Sequence, residues 1–392
     1  MTEESAALRG NWNYPTQVRF GVGRIAELAE ACKAAGMKRP LLITDPGLAK
    51  LPMVRDAIAA NKAAGLPTGL FAEVKSNPVG RNVEDGLAAH RAGGHDGVIA
   101  FGGGSALDAA KTVALMVGQK RPMWDFEDVG DNWKRVDPAG VAPVVAVPTT
   151  SGTGSEVGRA SVILDEATHT KKIIFHPRML PVAVIADPAL TVGLPAKVTA
   201  ATGMDALAHC LEAYCAPGYH PMAEGIAVEG MRLVKDWLPT AVRDGKNLVA
   251  RAHMMAAASM GATAFQKGLG AIHALSHPVG AVYDTHHGLT NAVVMPYVLE
   301  FNRVAIDAKL TRLAAWLGLP KPSYQAVLDW VLALRREIGI PHTLKELGVG
   351  MDRLDELSEM AAVDPTAGGN PIPIGVPELK RMFVASIEGR LQ

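Results

Sequence analysis

The sequence predicts an α/β domain with a mostly parallel sheet over residues 1–193, joined to an all-α domain over residues 194–392. Three observations lead there. The first half alternates short β-branched runs with Ala-rich helical stretches, the pattern of βαβ units. Near Asp187-Pro188 the strand signal stops, and from about Pro195 one helical stretch follows another. Finally, 392 residues exceed the roughly 250–300 at which one hydrophobic core stops growing.

Taken in order, the runs Leu41-Leu42-Ile43-Thr44, Leu70-Phe71-Ala72, Val98-Ile99-Ala100-Phe101, Val144-Val145-Ala146-Val147 and Val182-Ala183-Val184-Ile185 read as buried strands. Residues 25–35, 54–65, 83–93 and 106–117 read as the helices between them. The second half reads as helices over 200–214, 222–236, 248–264, 306–317, 324–338 and 351–361. No repeat or low-complexity tract interrupts the chain.

The totals exclude several roles. Lys and Arg number 39 and Asp and Glu 39, so no net charge is available to hold a polyphosphate backbone, and no nucleic-acid partner is expected. The longest apolar runs, such as 141–147, are strand-sized, far below the roughly 20 residues of a membrane helix. Cys32, Cys210 and Cys215 are too few for a disulfide framework, and the opening Met-Thr-Glu-Glu-Ser has no leader pattern, so a cytoplasmic protein is expected. Cys210 and Cys215 read as core residues. Of 12 histidines, His273, His277, His286 and His287 fall in one short stretch.

Two polar glycine loops follow predicted strands. In Phe101-Gly102-Gly103-Gly104-Ser105-Ala106-Leu107-Asp108, three glycines let the backbone approach a ligand, and the first-turn N–H groups of the next helix would face a pyrophosphate. Ser105 and Asp108 have the spacing of a capping box. A tight turn that needs glycine for sterics alone is the competing reading, and the spacing is not Gly-x-Gly-x-x-Gly. The second loop, Pro148-Thr149-Thr150-Ser151-Gly152-Thr153-Gly154-Ser155-Glu156, is rich in hydroxyls; such loops at strand ends are where doubly wound sheets bind nucleotides. Asp45, just past the first strand, reads equally as a ribose acceptor that favours NAD over NADP or as an Asp-Pro-Gly turn.

The helical half opens with Asp205 and His209 four residues apart, on one helix face. His273 and His277 repeat that spacing; Pro278 is expected to close their helix, and His286-His287 precedes what reads as another helix entrance at Gly288. A carboxylate with several imidazoles suits Fe²⁺ or Zn²⁺ better than Mg²⁺ or Ca²⁺.

These motifs, in this order, resemble the iron-containing (group III) alcohol dehydrogenases from about residue 20 to the C-terminus. The resemblance is carried by Gly102-Gly103-Gly104-Ser105 with Asp108 and Lys111, by the Thr/Gly loop, by 205–214, by His273-Ala274-Leu275-Ser276-His277-Pro278 and by His287-Gly288-Leu289-Thr290-Asn291-Ala292. It implies a dehydroquinate synthase-like architecture, with an alcohol and an aldehyde or ketone interconverting in a cleft between the domains. It implies Asp205, His209, His273 and His287 as ligands of Fe²⁺, with Zn²⁺ the alternative, and His277 as a further histidine near nicotinamide and substrate that passes a proton.

The same resemblance implies NAD on Asp45, pyrophosphate on Gly103, Gly104 and Ser105, and the nicotinamide half along Thr149, Thr150 and Thr153. Asn77, Asp108 and Lys171 complete the implied cofactor set. A homodimer or higher homo-oligomer is implied as well. Against diol-processing relatives, Ala160, Ala264 and Thr366 replace Asn, Phe and Cys by motif counting, so a small-diol substrate does not carry over. Arg159 and Lys267 are candidate grips for a substrate anion, which points to an acid-bearing semialdehyde such as succinic semialdehyde with 4-hydroxybutyrate. The rival readings are a zinc polyol dehydrogenase of the glycerol type, a dehydroquinate synthase-like lyase, for which no cluster of basic residues is present, and a non-enzymatic scaffold.

Overall fold

In a computed structural model, residue 14 and residues 16–391 are described; the opening Met-Thr-Glu-Glu-Ser lies outside them. The described residues fall into two compact units, residues 16–193 in one and Tyr14 with residues 194–391 in the other.

The first unit runs β1 (Gln17–Phe20), α1 (Leu28–Ala34), β2 (Leu41–Ile43), α2 (Pro52–Ala63), β3 (Gly69–Phe71), α3 (Gly80–Ala92), β4 (Val98–Gly102), α4 (Gly104–Met116), β5 (Val144–Pro148), β6 (Ala160–Asp165), β7 (Thr170–Phe175) and β8 (Ala183–Ala186). Six strands form a parallel sheet in the order β1-β8-β5-β4-β2-β3. Its central strands are buried along their whole length, as a sheet with helices on its faces demands. The core includes Leu42, Ile99, Phe101, Val145, Val147 and Ile185 packed on Leu28, Cys32 and Val54 of the helices.

Three strands had no sequence expectation. Strand β1 lies at the sheet edge, and its Gln17-Val18-Arg19-Phe20 is too exposed to read as an apolar run. Strands β6 and β7 form an antiparallel hairpin whose turn is made by His169 at a φ of 53°. Alternate residues of β6 are buried, a half-covered pattern unlike the continuous runs of the parallel strands.

The second unit is helical: α5 (Ala196–Cys215), α6 (Pro221–Arg243), α7 (Leu248–Ala264), α8 (Ala271–Tyr283), α9 (His287–Trp316), α10 (Tyr324–Glu337), α11 (Leu354–Ala362) and α12 (Val376–Glu388). Helix α5 packs against α6, α7 and α9 and is buried almost throughout from Thr199, so it is the central element. None of the described helices is long and apolar enough to cross a membrane.

Two helix boundaries correct the sequence expectation. Pro278 does not end its helix but lies inside α8, which continues to Tyr283. Proline costs a helix one backbone hydrogen bond; here the surrounding turn, 271–280, is wholly buried, so packing holds it. The helix expected over 306–317 is the last part of α9, which begins at His287 and runs through Pro296. His286 caps it, its Nδ1 accepting from Leu289 N at 3.4 Å.

Candidate active site

In the α/β unit, the chain leaves β2 toward β3 on one side and resumes through β4 and β5 on the other. Strand order therefore reverses between β2 and β4, whose carboxyl ends flank the crevice where open α/β sheets take nucleotides. Asp45 follows β2; its Oδ1 accepts from Gly47 N and Leu48 N at 2.9 and 2.8 Å, so it does close a turn. Its Oδ2 makes no hydrogen bond among the described residues, which leaves it for another donor.

The two glycine loops leave the sheet side by side, because Gly102 of β4 pairs with Pro148 of β5. Gly102 has a φ of 151°, a conformation that favours glycine. A Cβ on Gly104 would stand 2.6 Å from Thr153 Cγ2, and one on Gly103 3.2 Å from Thr150 Cγ2. The steric reading of these glycines is therefore part of the answer: they admit the threonines of the second loop. Helix α4 still starts without a side-chain cap, which leaves first-turn N–H groups for an anion.

The expected capping box is not formed. Ser105 lies inside α4, and its hydroxyl donates to Ser76 O, which sets the neighbouring Asn77 beside the glycine loop. Asp108 is engaged within the unit. Its Oδ1 accepts from Ser155 Oγ at 2.5 Å and its Oδ2 from Val162 N at 2.9 Å, so the carboxylate ties α4 to the second loop and to β6. Beside it the fully buried Lys111 donates to Ser155 O at 3.0 Å and to Ala160 O at 2.5 Å. Burial pushes the Lys111 pKa down, with Asp108 and Glu156 opposing it. Lys171 lies on β7 opposite Leu164. Thr149 is buried, its N–H donating to Gly102 O at 2.9 Å.

In the helical unit, three pairs at i, i+4 spacing converge. Asp205 and His209 come from α5, His273 and His277 from α8, and His287 and Asn291 from α9. Gly288 permits the approach: a Cβ there would lie 2.5 Å from Ala201 O and 2.9 Å from Asp205 Cβ. Ligand atoms of Asp205, His273 and His287 lie within 4.8 Å of one another. His209 Nε2 is 3.0 Å from His273 Nε2, and His287 Nε2 is 3.6 Å from Asp205 Oδ1.

This arrangement fits a transition-metal ion. With metal–nitrogen distances of about 2.1 Å, neighbouring ligand atoms stand about 3.0 Å apart in an octahedron and about 3.4 Å in a tetrahedron. Asn291 Nδ2 is 2.8 Å from Asp205 Oδ1 and 3.2 Å from both His273 Nε2 and His287 Nε2, one amide nitrogen among three acceptors. Burial works against a charged His273, but the Glu212, Asp205 and Asp364 carboxylates outweigh it and raise its pKa, so the locality favours positive charge.

Glu212 was missed by the sequence reading. Its Oε2 accepts from His273 Nδ1 at 2.5 Å and its Oε1 from Ile272 N at 2.7 Å, which fixes the tautomer with the Nε2 lone pair toward the cluster. The signal was present, since 205, 209 and 212 are i, i+4 and i+7 on one helix face. Glu212→Gln is expected to weaken metal affinity about 10–100-fold, measured by competition with a chelator of known affinity.

Lys267 is corrected as a substrate contact. Its buried ammonium donates to Tyr214 O at 3.2 Å, Ala216 O at 2.7 Å and Glu224 Oε1 at 2.8 Å. All three hydrogens are thus spent on the C-terminal end of α5 and on Glu224. Cys210 and Cys215 are core residues, and burial raises both thiols to about 12.

Residues 15–188 match the family described as iron-containing alcohol dehydrogenase, and residues 199–387 match the C-terminal part of the same family. The chain belongs to the iron-containing alcohol dehydrogenases. It is 40% identical to the 4-hydroxybutyrate dehydrogenase of Cupriavidus necator over 95% of this chain and 99% of that one. The crystal structure of a 1,3-propanediol oxidoreductase superposes with a TM-score of 0.92 at 34% identity, covering 96% of this chain and all of the other. A sulfoacetaldehyde reductase from Bifidobacterium kashiwanohense, solved in complex with NAD+, superposes with a TM-score of 0.88 at 27% identity, covering 97% of this chain and 100% of that one. As a member of the iron-containing alcohol dehydrogenases, the protein is an oxidoreductase acting on a small alcohol or aldehyde.

Proposed function

We propose that this iron-containing alcohol dehydrogenase uses NAD to interconvert a short ω-hydroxy acid and its semialdehyde, of the 4-hydroxybutyrate and succinic semialdehyde type. The observation that carries the acid-bearing substrate is Arg159. Burial lowers its pKa, its guanidinium lies 5.6 Å from the Phe175 ring, and no carboxylate pairs with it among the described residues. A half-buried cation without an anion is a site for one. The names of two similar proteins, a 4-hydroxybutyrate dehydrogenase and a sulfoacetaldehyde reductase, agree with an anionic substrate.

In this reading Asp205, His209, His273 and His287 hold Fe²⁺, whose chemistry is Lewis acidity toward the substrate oxygen, and NAD supplies hydride exchange. The start of α4 with Gly103, Gly104 and Ser105 binds pyrophosphate, Asp45 the ribose, and Asn77, Thr149, Thr150, Thr153 and Lys171 flank the remainder. His277 exchanges the hydroxyl proton. The protein is proposed as a cytoplasmic homodimer, which light scattering on the purified enzyme tests.

Steady-state kinetics on succinic semialdehyde and butanal with NADH test the substrate. The acid is expected to be preferred in kcat/KM, and Arg159→Ala to lower that value about 10–100-fold for the acid alone, the worth of a charged hydrogen bond. Equal efficiencies, or an Arg159→Ala variant indifferent to the carboxylate, would refute the assignment.

A further inference from the structure

His277 does not stand alone. Its Nδ1 lies 2.8 Å from Asp364 Oδ2, a residue 87 positions later in the chain. The other oxygen of Asp364 accepts twice from one residue, Thr366, through the backbone N–H at 2.9 Å and the hydroxyl at 2.5 Å. The segment that carries the pair is anchored to the start of α8. Asn370 Oδ1 accepts from Ala271 N at 3.2 Å, and Gly369 sits so close to Leu269 that a Cβ would fall 2.0 Å from its carbonyl oxygen. The His277 ring stacks on that of His287, centroids 5.3 Å apart, and meets that of His273 edge-on at 5.8 Å. Among the described residues, His277 Nε2 makes no hydrogen bond.

We propose that Asp364, held by Thr366, is a positioning residue that keeps the His277 proton on Nδ1 and its Nε2 free to accept the hydroxyl proton of an alcohol substrate. This deepens the proposed function and rests on it. A carboxylate is acceptor-only, so the ring nitrogen facing it must carry hydrogen, and the second nitrogen is left with its lone pair. In alcohol oxidation the substrate O–H bond breaks, an N–H bond forms at Nε2, and the imidazolium stands beside the Asp364 carboxylate, which takes no proton itself. In reduction the same proton returns to oxygen. NAD, when bound, would supply the hydride exchange with the carbon separately. Asparagine at 364 could present its own N–H to Nδ1 and so reverse the tautomer. Of the two bonds on Oδ1, the one from the hydroxyl depends on the Thr366 side chain, and the one from the backbone N–H does not.

The experiment compares parent, Asp364→Asn, Thr366→Val, Thr366→Ser, His277→Asn and the double variant Asp364→Asn with His277→Asn, each at matched bound iron. Asp364→Asn is expected to lower kcat about 10²–10³-fold with KM within about twofold, within the range of general acid–base catalysis. In the His277→Asn background it is expected to add nothing, as groups acting as a unit do not add. Thr366→Val is expected to lose about tenfold in kcat and Thr366→Ser to recover it, and this pair carries the test should Asp364→Asn fail to fold. Losses of equal size with and without His277, or a kcat unchanged in both Asp364→Asn and Thr366→Val, overturn the proposal. A parent enzyme without turnover on alcohols or aldehydes overturns the functional reading and this inference with it, whereas an active parent indifferent to position 364 removes this inference alone.

Discussion

Asp205→Ala is expected to lower kcat for aldehyde reduction by about 10³-fold or more and to leave the purified protein nearly free of iron. Asp205 is the single carboxylate among the four proposed ligands, and it faces His287 Nε2 at 3.6 Å. Without it the donors are three imidazoles that a buried pocket leaves with less negative charge. Lewis-acid stabilisation by a bound metal is worth several kcal/mol, and about 4 kcal/mol corresponds to about 10³ in rate. Elemental analysis and steady-state kinetics on the same sample check both parts, with circular dichroism reporting the fold. Asp205→Ala enzyme with full iron and a kcat within tenfold of parent would remove Asp205 from the ligand set. Removing iron from the parent with a chelator is expected to reproduce the loss, and Fe²⁺ to restore it only where Asp205 is intact.

The largest effect on stability is expected far from that cluster in the chain, at Lys111. Its ammonium is fully buried, donates to Ser155 O and Ala160 O, and lies 3.6 Å from Asp108. Lys111→Met keeps the length of the side chain but leaves the carbonyls of Ser155 and Ala160 short of a donor and the part-buried Asp108 without its cation. A carbonyl left without its donor costs about 1–3 kcal/mol, so a loss of about 2–6 kcal/mol is expected for the two. Urea unfolding is expected to show that loss as a shifted midpoint at unchanged slope. Adding Asp108→Asn is expected to return little of it, because Asp108 keeps Ser155 Oγ and Val162 N as donors and the lost carbonyl bonds set the cost. A midpoint unmoved by Lys111→Met would mean that water reaches the ammonium.

The inner strands β2, β4, β5 and β8 of the parallel sheet were legible because they are buried along their whole length and so appear as uninterrupted apolar runs. Strand β1 and the β6–β7 hairpin lack that signature, since each has a face or an edge in contact with solvent. Helix ends at Pro278 and before residue 306 were misplaced for a different reason: local preference forbids what tertiary packing supplies. In the site, helical spacing brought out Asp205, His209, His273 and His277, and the same spacing contained Glu212 and Asn291. Asp364 could not be found that way, because no periodicity links it to His277 across 87 positions. For Lys267 and Asp108 the charge is visible in the sequence and the partners that bind it are not.

Cys32, Cys210 and Cys215 have a practical consequence. All three are buried, and burial holds each thiol near a pKa of about 12. At pH 8 only about one in 10⁴ is then the thiolate that alkylating reagents attack. A cysteine introduced on the surface would therefore be the single position open to a maleimide fluorophore or spin label. The native thiols are expected to stay silent, so a pair of introduced cysteines would report a distance within this enzyme during turnover without first removing any of them.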